Sequence, residues 1–187
     1  MGRLTYTTIA SLDGYIADAD GDFDWAEPDA EVHAFINDLE RPIGTYLYGR
    51  RIYEVMTYWE TATAENDPDI DPVELDYANV WRAAEKVVYS TTLDSVSTTR
   101  TRLERSFDPD AVRALVAESA SDVGLGGATL AAAAMRAGLV EEYTVFTYPV
   151  LVGGGTPQFP SGVKVDLRLL ESRSFASGVT YARYALR

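Results

Sequence analysis

The chain has 187 residues, no cysteine and a formal net charge of −13 at pH 7, and its 47% hydrophobic content predicts one globular domain over residues 1–187. The missing cysteines exclude a disulfide framework, a thiolate nucleophile and a Cys-ligated metal, and the negative charge argues against a nucleic-acid partner, because phosphate binding needs clustered Lys and Arg. The N-terminal residues lack the apolar region of a signal peptide and no apolar run reaches the roughly 18 residues that span a bilayer, so we predict a cytoplasmic protein without a membrane partner.

The first predicted strand covers residues 3–10 and leads into the lid segment, residues 11–25, which contains five aspartates and two glycines. Its composition predicts a loop, and its apolar side chains indicate that this loop folds over something. A surface connection with aromatic anchors is the alternative. The apolar side chains are Leu12, Tyr15, Ile16, Phe23 and Trp25.

Metal sites are not predicted. Asp18, Asp20 and Asp22 have the spacing of a calcium loop, but Phe23 and Asp29 stand where such a loop needs glycine and a bidentate glutamate. One histidine and no cysteine make a zinc site improbable. We expect that histidine, His33, to lie at the surface or at an interface.

A helix is predicted over residues 28–40, with Pro28 in its first turn and an apolar stripe that includes Val32 and Phe35. A short strand over residues 45–48 then turns at Gly49-Arg50-Arg51 into a second helix. The guanidinium fork suits phosphate and a helix N-terminus favours anions, so the two arginines indicate an anion site. Pairing with the abundant carboxylates is the alternative.

The middle of the chain predicts an exposed acidic excursion over residues 61–72, a helix over 73–85 and strands over 86–90 and 98–107. Asp108 is predicted to cap the helix that follows. The strand over 86–90 ends in three hydroxyl residues, Ser90-Thr91-Thr92. Such residues are common in turns, and they are also well placed to bind a ligand that lies across the strand ends.

Residues 122–138 predict a strand, a glycine turn and a helix that stops at Gly138. Gly124, Gly126 and Gly127 precede a run of strong helix formers. Glycine lets an anion approach the free N–H groups at a helix start, so the stretch is a candidate pyrophosphate site. Ordinary turn chemistry is the alternative.

Three more strands are predicted over residues 142–152, 165–174 and 179–186, with a loop over 153–160 that starts with three glycines. The alternation of strands and helices in the first half implies a parallel sheet with right-handed crossovers. The last third has the pattern of a hairpin. The predicted fold class is therefore α/β, with a mixed, mostly parallel sheet and an antiparallel C-terminal hairpin.

Six short motifs resemble the dihydrofolate reductase fold, and more closely the C-terminal reductase domain of the riboflavin-biosynthesis deaminase-reductases. In chain order they are SLDGYIA at 11–17, YGRR at 48–51, VYST at 88–91, GLGGATL at 124–130, GLVEE at 138–142 and PVLVGGGTPQF at 149–159. The resemblance covers nearly the whole chain. It implies a three-layer α/β/α fold, NADPH as the hydride donor and a homodimer formed through the terminal strands.

The resemblance also implies roles for individual residues toward NADPH. Gly49, Arg50 and Arg51 would meet the adenosine-side phosphates, and Ser90 and Thr91 would lie beside the adenine ribose. The pyrophosphate would be held by Gly126, Gly127, Ala128, Thr129 and Leu130, with a cis peptide bond between the two glycines. Ile9, Ala10 and Ile16 would flank the nicotinamide, with the lid segment excluding water.

The implied substrate is a small heterocycle or a ribosylaminopyrimidine, similar to that of 5-amino-6-(5-phosphoribosylamino)uracil reductase. Asp13 would position or help protonate it, beside Gly14 and an aromatic wall of Trp25, Tyr53 and Trp59, for which ordinary core packing is the alternative. Asp29 and Glu31 do not match the acid of the folate-reducing members, and the zinc-binding deaminase is absent. The alternatives are a dihydrofolate or other pteridine reductase, and a nucleotide-binding or assembly protein of the same fold without turnover.

Overall fold

Six parallel strands form the centre of the protein, whose computed structural model describes residues 2–187. The strands are β1 Leu4–Ser11, β2 Tyr15–Ala17, β3 Ile43–Gly49, β4 Glu85–Tyr89, β5 Thr101–Glu104, β6 Asp122–Gly126, β7 Glu142–Tyr148, β8 Thr156–Pro157, β9 Leu167–Ser174 and β10 Thr180–Leu186. The main sheet has the order β5-β4-β3-β6-β1-β7-β10-β9, in which only the pairs made by β10 are antiparallel. The predicted mixed, mostly parallel sheet with an antiparallel C-terminal hairpin is confirmed.

The helices are α1 Ala30–Glu40, α2 Arg50–Met56, α3 Tyr58–Thr61, α4 Pro72–Ala83, α5 Pro109–Glu118 and α6 Ala128–Arg136, with a 3₁₀ turn at Asp24–Ala26. The predicted cap at Asp108 is confirmed, because its carboxylate accepts the Asp110 N–H at 2.9 Å. Within residues 2–187, no helix has the length and apolar character to span a membrane.

Helices cover both faces of the sheet, because successive side chains of a strand point to opposite sides. Leu47 and its neighbours on β6 pack against α5 and α6 in one cluster. Tyr46 and Tyr48 point the other way and pack against α2 and α4. Since α1 lies beside α4 and also contacts β7 and β10, the molecule has three layers, as predicted.

The glycines of β6 make room for two stacked tyrosines. Tyr46 pairs in register with Gly124, and Tyr48 with Gly126. The two tyrosine rings stack with centroids 5.4 Å apart. A Cβ added at Gly124 would lie 2.9 Å from a Tyr46 ring carbon, and one at Gly126 would lie 2.8 Å from a Tyr48 ring carbon. Packing across the sheet therefore explains why β6 carries glycine at these positions.

The expectation that His33 lies at the surface is wrong. Its side chain is buried between α1 and α4, with the ring edge-on to Trp59 and Tyr77. Nδ1 is 3.1 Å from the Asn37 side-chain oxygen, and Asn37 donates to Asp76 and to the Val73 carbonyl. The sequence pattern of α1 did not predict this burial, because a polar side chain can be buried against a neighbouring helix when hydrogen bonds satisfy its polar atoms.

The strand predicted over residues 98–107 is shorter than expected, at Thr101–Glu104. Arg100 has a positive φ of 51°, which turns the chain immediately before the strand. The Tyr53 hydroxyl accepts the N–H groups of Ser97 and Thr98 and holds the preceding segment in a loop. A contact from a distant helix therefore decides where β5 begins.

Candidate active site

The carboxyl ends of the parallel strands bring three predicted segments together. Gly49 pairs with Tyr89 at the ends of β3 and β4, and Tyr48 pairs with Gly126. The side chains that follow also meet, because Arg50 Nη1 donates to Thr92 Oγ1 at 3.0 Å. A Cβ at Gly127 would lie 3.8 Å from the Gly49 amide nitrogen. The Gly49, Ser90 and Gly127 segments thus form one continuous surface.

Two helices in this surface begin with glycine and have no side-chain cap among the described residues. They are α2, which follows Gly49, and α6, which follows Gly127. The first N–H groups of a helix lack partners within the helix, and the helix dipole places partial positive charge there. The two starts lie side by side, so they can together donate hydrogen bonds to an anion.

The predicted cis peptide bond between Gly126 and Gly127 is wrong, because every peptide bond in residues 2–187 is trans. Gly127 makes the change of direction from strand to helix with φ +93° and ψ 127°. L-residues avoid this conformation, whereas glycine adopts it without a Cβ clash. Gly127 is therefore required by the turn, and Gly126 by its packing against Tyr48.

The two arginines differ in their partners. Arg50 forms an ion pair with Glu54 at 2.7 Å besides its bond to Thr92, so the alternative of pairing with a carboxylate applies to it. Arg51 is exposed and forms no ion pair with any residue between 2 and 187. Of the two, Arg51 is the guanidinium that is free to bind a phosphate group.

The hydroxyl residues after β4 have different environments. Ser90 is buried, and its Oγ accepts the N–H groups of Thr92 at 3.2 Å and Leu93 at 3.0 Å. Thr91 is exposed at the surface of the loop. Arg105, which the sequence did not single out, donates to the carbonyl oxygens of Ser90, Leu93 and Asp94. Ser90 and Arg105 therefore shape this loop, and Thr91 is accessible to a ligand.

The lid segment is joined to the loop after β7, residues 149–158, which we call the glycine-rich loop. β2 pairs with β8, and the Gln158 N–H donates to the Gly14 carbonyl at 3.0 Å. A Cβ at Gly155 would lie 2.1 Å from the Ala17 carbonyl oxygen, so only glycine permits this close approach. The two loops therefore form one small antiparallel unit.

Asp13 connects these two loops through its carboxylate. It accepts the Ser11 hydroxyl at 2.6 Å and the N–H groups of Gly153 at 2.7 Å and Val152 at 3.2 Å. The Ser11 hydroxyl and these backbone donors lower the pKa of Asp13. An ionised, fully engaged carboxylate is a poor proton donor. The geometry thus favours a positioning role for Asp13, and its catalytic role stays a prediction.

The residues predicted for the nicotinamide lie near the lid. Ile9 is partly buried against Phe146 and Tyr148, Ala10 is fully buried in β1, and Ile16 is partly buried in β2. Trp25 reaches the same cluster as Ile9. β1 and the lid segment thus share an apolar wall at the carboxyl edge of the sheet.

Trp25 lines a pocket of about 330 Å³ beside this wall. Glu27 and Asp29 line it from the segment before α1, Tyr148 from the end of β7, and Ser177 from the hairpin between β9 and β10. The sequence did not identify Tyr148, because nothing local distinguishes it from the other strand tyrosines. Among residues 2–187, no three His, Cys, Asp or Glu side chains are grouped as a metal site.

Tyr53 and Trp59 do not join Trp25 around this pocket, so the predicted aromatic wall is wrong for these two residues. Tyr53 is buried, and its hydroxyl bonds to Thr98 Oγ1 at 3.1 Å. Trp59 packs edge-on against Tyr77, with ring centroids 4.8 Å apart. Both belong to the core beneath α4, which was the alternative interpretation.

Comparison with known proteins links this geometry to a family. The family model of the RibD C-terminal domain matches residues 3–181. The uncharacterized protein YyaP of Bacillus subtilis (strain 168) is 28% identical to this chain, with 97% of this chain and 94% of YyaP covered.

Solved structures share the fold. A putative riboflavin biosynthesis protein from Shewanella sp. PV-4 has a TM-score of 0.75 at 20% identity, with 100% of this chain and 99% of that chain covered. A dihydrofolate reductase from Enterococcus faecalis, complexed with NADP(H), has a TM-score of 0.64 at 13% identity, with coverage of 100% and 97%. A Thermotoga maritima deaminase/reductase has a TM-score of 0.65 at 12% identity, and this chain covers 57% of it.

Proposed function

The chain belongs to the RibD C-terminal domain family, and from this premise we propose that it is an NADPH-dependent reductase of a small heterocyclic or ribosylaminopyrimidine-type substrate. The observation that carries the proposal is the pair of glycine-initiated helices, α2 and α6, whose N-termini lie side by side. A protein with a formal charge of −13 needs a local region of partial positive charge, such as these helix N-termini, to bind a dinucleotide.

The pyrophosphate would be held by backbone N–H groups. Gly127 allows close approach because it has no side chain, and Ala128, Thr129 and Leu130 would donate from the first turn of α6. The start of α2 after Gly49 would contribute from the other side. The residues present therefore fit the diphosphate of NADPH by their chemistry and placement.

The 2′-phosphate would be recognised by Arg51, with Arg50 held nearby by Glu54 and Thr92. The Ser90–Thr91 turn would lie beside the adenine ribose, with Thr91 as the accessible hydroxyl. Arg51 contributes a free charge, which supports a preference for NADPH over NADH.

NADPH supplies a hydride when it is bound, and the chain's residues would orient and shield it. Ile9 and Ala10 of β1 and Ile16 of the lid segment would flank the nicotinamide. Asp13 would keep the lid segment and the glycine-rich loop closed over the reacting atoms, so that water is excluded. Trp25 would form part of the substrate wall.

The test of this function is a titration with NADPH and NADH, in which calorimetry measures the affinity and thermal unfolding measures the gain in stability. Saturation at a hundredfold the dissociation constant adds about 2.7 kcal/mol to the free energy of unfolding. Arg51→Ala is expected to weaken NADPH binding about tenfold and to leave NADH binding unchanged. Arg113→Ala, which removes an exposed arginine on α5, is the matched control. Failure of the protein to bind either nucleotide would contradict the proposal.

We also propose a homodimer that forms through the terminal strands. β9 is an edge strand of the sheet, and Leu169 on β9 and Leu186 on β10 are 55% and 40% exposed. Exposed apolar side chains on an edge strand favour association with a second copy. Light scattering of the purified protein should give twice the mass of the chain, and Leu169→Lys should give the monomer mass.

A further inference from the structure

The loop between β4 and β5, residues 90–100, contains no helix or strand, and side chains from other elements hold it. Its second half is tied to α2 and α3. The Tyr53 hydroxyl accepts the Thr98 N–H at 3.3 Å, and the Glu60 carboxylate accepts the Thr99 N–H at 3.0 Å. The first half of the loop therefore needs an anchor of its own.

Arg105, just beyond the end of β5, supplies that anchor. Its guanidinium donates to the carbonyl oxygens of Leu93 at 2.5 Å, Asp94 at 3.2 Å and Ser90 at 3.4 Å. Hydrogen bonds from a charged donor are about twice as strong as neutral ones, and the planar guanidinium presents several donors in fixed directions. A single side chain thus fixes the backbone of the first half of the loop.

The turn at the start of the loop is shaped by Ser90, whose Oγ accepts the N–H groups of Thr92 at 3.2 Å and Leu93 at 3.0 Å. Arg105 holds the Ser90 carbonyl, so the backbone is anchored on both sides of Thr91. Thr91 lies between these anchors and is exposed. The position of the Thr91 hydroxyl therefore depends on Arg105.

The same turn links Arg105 to Arg50. Arg50 Nη1 donates to Thr92 Oγ1 at 3.0 Å, and its Nε is held by Glu54 at 2.7 Å. Arg105 forms no ion pair with any residue between 2 and 187, so no carboxylate neutralises its charge. Two guanidinium groups therefore hold this turn, one through a side chain and the other through backbone carbonyls.

From these contacts we infer that Arg105 is a positioning residue for the adenosine half of the cofactor. It sets the place of the Thr91 hydroxyl beside the ribose and, through Thr92, the place of the Arg50 guanidinium beside the 2′-phosphate. It acts without touching the nucleotide, because its donors are directed at the loop carbonyls. The inference rests on the proposed function, which places the adenosine half of NADPH at this turn.

The test is calorimetric titration of Arg105→Ala and of the unchanged protein with NADPH, NADH and adenosine 2′,5′-bisphosphate. The Arg105 side chain is exposed, so its removal leaves the core intact. NADPH binding should weaken about tenfold and NADH binding about threefold, because both contain the ribose and only NADPH has the 2′-phosphate. The bisphosphate should lose the same factor as NADPH, since it carries only the adenosine half.

Two further variants distinguish positioning from a simple effect of charge. Arg105→Lys keeps the charge without the planar fork, so NADPH binding should still weaken about threefold. Arg102→Ala removes an exposed arginine from β5 and is the matched control for the loss of charge. It should change neither NADPH nor NADH affinity.

Thr92→Val measures the route from Arg105 to Arg50. Valine has nearly the shape of threonine but cannot accept the hydrogen bond from Arg50, so NADPH binding should weaken about threefold and NADH binding should not change. Because Arg105 acts through Thr92, the double variant with Arg105→Ala should lose less NADPH affinity than the product of the two single losses. A side chain that only stabilised the protein would give independent losses.

The outcomes separate this inference from the proposed function. Unchanged NADPH binding in Arg105→Ala, equal losses for NADPH and NADH, or a smaller loss for the bisphosphate than for NADPH would overturn the inference and leave the reductase proposal intact. Full recovery in Arg105→Lys or independent losses in the double variant would also overturn it. Failure of the unchanged protein to bind either nucleotide would overturn the reductase proposal and this inference with it. Circular dichroism checks each variant, and Arg105→Lys carries the test should Arg105→Ala not fold.

Discussion

Five of the helices in residues 2–187 start in two different ways. α1, α4 and α5 each begin after an aspartate whose carboxylate accepts a first-turn N–H. Asp29 accepts the Val32 N–H at 3.0 Å, Asp71 the Val73 N–H at 2.9 Å and Asp108 the Asp110 N–H at 2.9 Å. α2 and α6 begin after Gly49 and Gly127, and in residues 2–187 no side chain caps them. In the first group an aspartate satisfies one of the free N–H groups of the helix start, whereas in the second no described side chain does so and the groups stay available to a ligand.

This difference teaches how an acidic chain can keep an anion site. Aspartate at a helix start places a negative charge where a phosphate would otherwise bind. Glycine at the start leaves the dipole and the N–H groups accessible, at a small cost in helix stability. The placement of aspartate and glycine therefore decides which helix ends can bind phosphate, and the total charge does not.

Gly49→Asp is expected to have the largest effect, because it gives a glycine-initiated helix the aspartate start of the other group. Gly49 has φ −76° and ψ 165°, which any residue adopts, and an added Cβ would meet Leu130 Cβ at an ordinary 3.8 Å. The new carboxylate would cap α2 and repel the diphosphate, so NADPH binding should weaken about 100-fold while the fold is kept. Calorimetry measures the first effect and circular dichroism the second.

The control for that variant is Gly49→Ala, which adds the Cβ without the charge and should retain most of the affinity. Equal NADPH binding by Gly49→Asp and the unchanged protein would show that the start of α2 is not part of the cofactor site.

Asp108→Ala, at a capped helix, should lower the stability of the protein without changing NADPH binding. Loss of the hydrogen bond to the Asp110 N–H is expected to lower the free energy of unfolding by about 1 kcal/mol, because an unsatisfied helix start is left. NADPH affinity should be unchanged, since α5 does not contribute to the surface formed by the Gly49, Ser90 and Gly127 segments. Urea denaturation measures the stability, and Asp110→Asn, one residue into the helix, is the control.

The smallest effect concerns the link that Asp13 makes between the lid segment and the glycine-rich loop. Its folded-state pKa lies below the ordinary value of 3.8, so the stabilisation it gives is present above about that pH. The contribution is lost as the pH falls through the lowered pKa. Protection of the Val152 and Gly153 amides from hydrogen exchange, corrected for the intrinsic rate, should therefore stay constant at neutral pH and decline only in stronger acid.

Asp13→Asn should reduce that protection at neutral pH and remove its dependence on pH. If the variant kept the protection of the unchanged protein, the carboxylate would not be what holds the two loops together.

Several elements followed from local sequence. The Asp-Pro-Asp start of α5, the glycine turn before α6 and the alternation of strands and helices depend on interactions between residues a few positions apart. Capping, helix periodicity and turn chemistry act over that range, so the α/β sheet and the glycine-initiated starts of α2 and α6 could be predicted from them. Gly127 could also be predicted from local sequence, because the turn from β6 into α6 requires a positive φ at that position.

The tertiary structure decided what distant segments do to one another. The packing of Tyr48 against Gly126, the burial of His33 and Tyr53, and the bonds from Asp13 to Val152 and Gly153 depend on strand register and on which helix covers which face. A sequence pattern fixes which residues are apolar or can bond, and it does not fix their partners across the sheet. Tyr148 became a candidate site residue only when the fold placed the end of β7 beside Trp25 at the pocket.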